Sequence, residues 1–65
     1  MTGAGYGVDA VHGGRWRVEA TPDGCRARVV DAVAGGVAAV FYGETAHTDA
    51  DRWALDAALT DRFGR

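Results

Sequence analysis

The sequence contains no lysine, isoleucine, asparagine, glutamine or serine, and it has one cysteine and one proline. A single cysteine excludes an intramolecular disulfide and favours a reducing compartment. A chain of 65 residues makes one domain, and such a domain buries only about 60% of its unfolded surface. Small domains therefore commonly depend on a disulfide, a metal or a partner subunit, and the first of these is excluded within the chain.

Long apolar runs are also missing. No stretch approaches the roughly 18 apolar residues of a membrane span. The start, MTGAGYGVDAV, has neither the basic residue nor the apolar run of a signal peptide. We therefore expect a cytoplasmic protein with no membrane association.

Glycine-containing turn signals divide the first two thirds of the chain. Glycine adopts positive φ at no steric cost, and proline followed by Asp-Gly favours a tight reversal. The signals are HGGR, TPDG and AGG. The runs between them predict strands at about 6–12, 15–21, 25–34 and 37–42. The first strand has the least support, because five of the first fourteen residues are glycine.

The period of the apolar residues changes in the last third, where a helix is predicted over about 49–63. Thr48 is placed to cap its first turn, and Asp49 and Asp51 suit the positive end of the helix dipole. Gly64 is a plausible stop. The predicted fold is a single α+β domain over residues 1–65, in which a three- to four-stranded antiparallel β-meander is followed by one C-terminal α-helix packed on the sheet.

The charged residues of strands two and three are expected to share one face of the sheet. Thr21 opposite Gly24 places Arg17 opposite Arg28 and leaves the other face, Trp16 to Val29, apolar for the helix. The arginines then form a contiguous patch relieved by Glu19. Its members are Arg15, Arg17, Arg26 and Arg28.

The arginine patch has three interpretations: a solvated face, a surface for an acidic protein, or a nucleic-acid interface that gains counterion release at phosphates. The segment GRWRV, the Pro-Asp-Gly hairpin and the late helix resemble the N-terminal arm-type domains of tyrosine recombinases, which carry a three-stranded sheet followed by a helix. The net charge of −2 disfavours nucleic acid, because dedicated nucleic-acid modules are usually basic.

The predicted helix has apolar side chains over most of its circumference, whereas a helix on one sheet needs a single stripe somewhat over 100° wide. Either a small core wraps the helix closely, or a partner covers its second side. The second interpretation predicts a twofold contact in which one stripe meets its copy or the exposed face of strand four (Ala38, Val40, Tyr42). The side chains concerned are Trp53, Leu55, Leu59 and Phe63.

Catalytic and metal-binding patterns are weak. Glu44 and His47 are three residues apart but lie in a segment with turn chemistry, and Cys25 has no His or Lys nearby in the sequence that would activate it as a nucleophile. The segment GAGYG follows the first residues and not a strand, unlike a phosphate loop. A chain this short also leaves little room for a substrate pocket. We therefore expect neither an enzyme nor a bound metal or cofactor.

The sequence thus predicts a small non-enzymatic protein–protein interaction module. It would form a homodimer and act as a regulator, antitoxin or inhibitor of a larger partner protein. The alternative is a nucleic-acid-binding module that uses the arginine face. The predicted partner-binding residues are Arg15, Arg17, Arg26, Arg28, Trp53, Leu55, Leu59 and Phe63.

Overall fold

The computed structural model describes residues 5–64, which form four antiparallel strands in the order β1-β2-β3-β4 and one helix packed on the sheet. This confirms the predicted α+β fold class. The strands are β1 (Gly7–His12), β2 (Trp16–Ala20), β3 (Arg26–Asp31) and β4 (Val37–Tyr42), and the helix is α1 (Ala46–Phe63).

The core lies between α1 and one face of β2 and β3. Val18 and Val29 are completely buried, and they lie directly opposite each other in the two strands. The helix contributes small side chains, with Ala50 and Ala54 fully buried. The prediction that the face from Trp16 to Val29 takes the helix is therefore correct. Alanine on the buried stripe allows the helix to lie close to the sheet, so little apolar volume is needed to fill the core.

The close approach extends to the turn between β1 and β2. Gly13 has a φ of 63°, and a β-carbon placed on it would lie 3.0 Å from the β-carbon of Ala58. Both the backbone conformation and the space therefore favour glycine at this position.

The predicted register between β2 and β3 is wrong by two positions. Thr21 pairs with Arg26, because the loop between them has four residues and not two. The carboxylate of Asp23 holds this loop, since it accepts hydrogen bonds from the Thr21 hydroxyl (2.7 Å) and the Cys25 amide (2.9 Å). A shift of two positions leaves each side chain on its predicted face but places Arg28 opposite Glu19.

The third strand ends at Asp31, three residues before its predicted end. One carboxylate oxygen of Asp31 accepts hydrogen bonds from the amides of Val33 and Ala34, each at 3.0 Å. A side chain that satisfies these two amides stabilises a turn in place of further strand. The apolar run of the sequence therefore continues beyond the strand itself.

The helix begins at Ala46, three residues before its predicted start, and its N-cap is Thr45 and not Thr48. The Thr45 hydroxyl donates to the carboxylate of Asp49 (2.9 Å) and makes no capping hydrogen bond to the backbone. Ala46 is completely buried. The additional turn therefore depends on packing against the sheet, which the local capping signal does not reveal.

Candidate interaction surfaces

Arg15 lies on the helix side of the molecule and not in the predicted arginine patch. Its guanidinium donates to both carboxylate oxygens of Asp31, at 2.9 and 2.7 Å, and reaches Asp61 of α1 at 3.2 Å. It also lies over the ring of Trp16, 4.4 Å from the centroid. The indole N–H of Trp16 donates to the same Asp61 carboxylate at 2.8 Å. Arg15 therefore fastens the end of α1 to the sheet.

The Arg15–Asp31 pair alters the titration of both groups. The hydrogen bonds from Arg15 are the main reason that the pKa of Asp31 lies far below its ordinary value, and the amide of Ala34 adds to this effect. The same contact raises the pKa of Arg15. The pair is therefore ionised throughout the physiological range and links the loop after β3 to the start of β2.

Arg17 and Arg28 both contact Glu19 on the sheet face opposite α1, here called the open face. Arg28 Nε donates to Glu19 Oε1 at 2.7 Å, and Arg17 Nε lies 2.8 Å from Oε2 without hydrogen-bond alignment. The guanidinium of Arg28 is also covered by the ring of Tyr6, 4.1 Å from its centroid. Glu19 is 6% exposed as a result. The carboxylate thus offsets much of the positive charge of this cluster.

Of the four predicted patch residues, Arg26 remains exposed and lies opposite Tyr42 at the end of the open face. Three arginines therefore share the open face, and Arg15 does not. The contiguous basic surface expected from the sequence is broken up, because Glu19 lies between Arg17 and Arg28 in the actual register.

Apolar side chains occupy both margins of the open face. On β1, Val8 and Val11 lie opposite Glu19 and Arg17 and are more than half exposed. On β4, Val40 and Tyr42 lie opposite Arg28 and Arg26 and are 45% and 72% exposed. The sequence pattern predicted the exposed residues on β4 but not those on β1. Val8 and Val11 are three positions apart and share a face only because Asp9 is an additional residue in the strand, so simple alternation does not place them together.

The outer stripe of α1, defined as Leu55, Leu59 and Phe63, points away from the sheet. These side chains are 45%, 46% and 74% exposed. Trp53 differs from them, because it packs edge-on against Trp16 with ring centroids 5.4 Å apart. The four helix residues predicted as one binding set are therefore divided: Trp53, 36% exposed, contacts the core through Trp16, whereas the other three form an apolar surface.

An open groove of about 710 Å³ runs between the start of β1, the turn after β2 and the start of α1. The short chain predicted little room for a substrate pocket, whereas the structure has an open groove of this size. His47 at its rim pairs with Asp9, and the carboxylate of Asp23 is held by the Cys25 amide, which lowers its pKa. The groove is wide, and apart from His47 its lining comes from residues 5–9 and 20–24.

The side chains of His, Cys, Asp and Glu within residues 5–64 form no group of three or more that could hold a metal ion. Over the same residues, α1 lacks the apolar length needed to cross a bilayer. Comparisons with protein-family models, with curated proteins and with solved structures each gave no match. The assignment of function therefore depends on the surfaces described above.

Proposed function

We propose that this chain is a non-enzymatic protein–protein interaction module that forms a homodimer and acts as a regulator or inhibitor of a larger partner protein. The observation that supports this proposal is the exposure of large apolar side chains on two opposite sides of a very small domain. One is the open face, with Val40 and Tyr42 at its margin. The other is the outer stripe of α1, ending at Phe63.

The domain is so small that a few exposed apolar side chains are large relative to its total stability. At about 0.05–0.15 kcal/mol per residue, a chain of this length has roughly 3–10 kcal/mol of total stability. Fully burying a large apolar side chain contributes about 1.5–3 kcal/mol, and the side chains on these two surfaces are 45–74% exposed. Covering several of them in a complex therefore yields a free energy that is a substantial fraction of that of folding. Contiguous exposed apolar surface of this kind is typical of interaction sites.

A nucleic-acid interface has less support, because the two central arginines of the open face share the Glu19 carboxylate. The carboxylate offsets part of the positive charge that Arg17 and Arg28 would offer to a phosphate. We expect no retardation of single- or double-stranded DNA or RNA by the protein at low salt. Retardation that weakens steeply with salt, and is lost in Arg17→Ala with Arg28→Ala, would favour the nucleic-acid alternative.

Sedimentation equilibrium over a wide concentration range tests self-association. We expect a species of twice the 6.8 kDa chain mass that dissociates on dilution. A chain that stays monomeric at high concentration would contradict the homodimer.

The proposed larger partner is tested separately at the outer stripe. A photo-crosslinking amino acid at position 59 should give, in the host cell, an adduct heavier than two copies of the chain. The same group at position 25 on the turn after β2 serves as the control, since the Cys25 side chain is exposed and lies outside both apolar surfaces. Equal labelling from both positions would contradict a partner on the outer stripe.

A further inference from the structure

The outer edge of β4 carries backbone groups that no other strand of residues 5–64 pairs with, and the strand is uncharged. β4 is the last strand of the sheet, and within residues 5–64 its other side has no strand beside it. Its sequence, VAAVFY, has neither charge nor proline. Natural proteins usually block such edges with charge, proline or a covering element. An edge with these properties is suited to pair with another strand.

The hydrogen bonds of the neighbouring turn show which groups point outward. The amide of Gly43 donates to the carbonyl of Cys25 on the β3 side at 2.8 Å. Because backbone groups alternate in direction along a strand, Ala39 and Phe41 also face β3. The N–H and C=O groups of Val40 and Tyr42 therefore point away from the sheet.

A register irregularity sets the length of the usable edge. Ala39 pairs with Val29, but Val37 pairs with Val30, so Ala38 is an additional residue in β4. Such a bulge interrupts regular pairing. The regular part of the edge therefore runs from residue 39 to residue 43, and it includes both outward-facing residues.

Resting on the proposed function, we infer that the homodimer forms by antiparallel pairing of β4 with β4 of a second copy, about a twofold axis at Phe41. In this register Val40 of each copy lies opposite Tyr42 of the other. Each such pair exchanges two N–H···O bonds, so the two pairs make four hydrogen bonds. All four use N–H and C=O groups of Val40 and Tyr42 that point away from the sheet in the single chain. The bulge at Ala38 lies outside the paired segment.

The side chains in this register complement one another, which favours a second copy over a foreign strand. On the open face, the valine of one copy meets the tyrosine of the other, and aromatic–β-branched cross-strand pairs are stabilising. On the helix face, the two Phe41 rings meet at the axis. The paired segment of residues 39–43 carries no charge, so self-pairing brings no like charges together.

The opposite edge does not offer the same possibility. β1 has its additional residue at Asp9 in the middle of the strand, and the carboxylate there pairs with His47 of α1. Self-pairing of β1 would bring the two Asp9 residues close together and across a bulge. The dimer is therefore expected to have one continuous eight-stranded sheet that ends in β1 on both sides, with both helices on one face.

The decisive variant is Val40→Pro. Proline is tolerated on an edge strand where the N–H faces solvent, so the change should leave β3–β4 pairing intact while it removes one donor from each copy. We expect a folded chain whose dimer dissociation constant rises about 100-fold, as fits the loss of two hydrogen bonds with their acceptors left unpaired. A synthetic chain with an N-methylated Tyr42 amide tests the same contact with the side chain unchanged.

Leu59→Lys is the matched control, because Leu59 is as exposed as Val40, at 46% against 45%, but lies on the outer stripe. It should leave the dimer unchanged. Amide hydrogen exchange gives a direct measurement: the amides of Val40 and Tyr42 should be protected in the dimer and lose that protection on dilution, whereas the β3-facing amide of Phe41 should stay protected.

The outcomes separate this inference from the proposed function. A dimer that persists in Val40→Pro and in the N-methylated chain, with the Val40 and Tyr42 amides exchanging freely, overturns the β4 interface and leaves self-association in place. A dimer lost in Leu59→Lys assigns the interface to the outer stripe and also overturns the inference. A wild-type chain that remains a monomer overturns the proposed homodimer itself.

Discussion

The two edge strands of the sheet differ in charge and in how they are held. β1 is interrupted at Asp9 and is fastened to α1 by two carboxylate–imidazole pairs, Asp9 with His47 and Asp51 with His12. β4 is uncharged, and its bulge lies near its beginning. One edge therefore resists pairing with another strand, whereas the other keeps a regular segment available.

The contrast extends to the flanks of the helix. His47 and Asp51 lie on the flank that faces β1, as their contacts with Asp9 and His12 show. At 3.6 residues per turn, Trp53 lies on the opposite flank, where it packs against Trp16 of β2. The β1 flank is thus held by polar contacts and the Trp53 flank by aromatic packing. These interactions differ in strength, so the loss of each should differ in its effect on stability.

Deletion of Asp9 should make the two edges alike. The residues on either side, Val8 and Ala10, would then follow each other in a regular ladder opposite Glu19 and Val18, with no carboxylate on the strand. With two pairing edges, association no longer closes at a dimer. We expect light scattering and sedimentation to show species much larger than a dimer, whereas a dimer unchanged in size would show that the β1 bulge does not protect the edge.

Trp53→Ala should weaken the Trp53 flank of the helix strongly. It removes the edge-on contact with Trp16, and we expect a loss of about 2 kcal/mol in the free energy of unfolding. Leu59→Ala removes apolar surface from the outer stripe and serves as the control, with a loss below about 1 kcal/mol. Urea unfolding monitored by circular dichroism measures both, and equal losses would contradict the division between core and outer stripe.

Acid should weaken the loop that leads into β4. The folded-state pKa of Asp31 is lowered from an ordinary value of 3.8, mainly by its hydrogen bonds with Arg15. A carboxyl group with a depressed pKa contributes stability that is complete above its ordinary value and is lost as the pH falls towards the folded-state value. Thermal melts should therefore be flat near neutral pH and should decline below about pH 4.

Asp31→Asn is the control for this pH dependence. The variant should melt at a lower temperature than the wild type near pH 7, because the ion pair with Arg15 is gone. It should also lose less stability on acidification, since one carboxyl group with a depressed pKa has been removed. A variant that follows the wild-type pH profile at every point would show that Asp31 does not carry the effect.

The smallest effect is expected on the β1 flank. Asp51→Asn breaks the carboxylate–imidazole contact with His12, in which the two side chains are 44% and 23% exposed, and exposed pairs contribute less than about 1 kcal/mol. The free energy of unfolding from urea titration should therefore change much less than in Trp53→Ala. A loss as large as that of Trp53→Ala would reverse the comparison between the two flanks.

The faces of the sheet were predictable from sequence, and the pairing of the strands was not. Alternation along residues 16–20 and 26–30 assigns the core face correctly, because a side chain's face depends only on its parity along the strand. The register depends on the number of loop residues. Here Asp23 enlarges the loop by accepting hydrogen bonds from Thr21 and Cys25, and this side-chain contact changes which arginine meets Glu19.

The candidate surfaces were also predictable only in part from the sequence. The excess of apolar residues on α1 was visible as a pattern, but the pattern could not say which stripe is buried. The structure buries the alanines, because small side chains bring the helix close enough to the valines of the sheet for a thin core to be filled. Leu55, Leu59 and Phe63 are then left on the outside.

The sequence alone determined the strand and helix order, the core face of the sheet and the excess of apolar side chains on the helix, since all three depend on local periodicity and turn residues. The tertiary structure decided where the charges meet and which groups remain unpaired. Arg15 contacts Asp31 and Asp61 and not the open face. β4 is the last strand of the sheet, so its outward backbone groups lie at an edge. These contacts join residues far apart in the chain, and no local pattern specifies them.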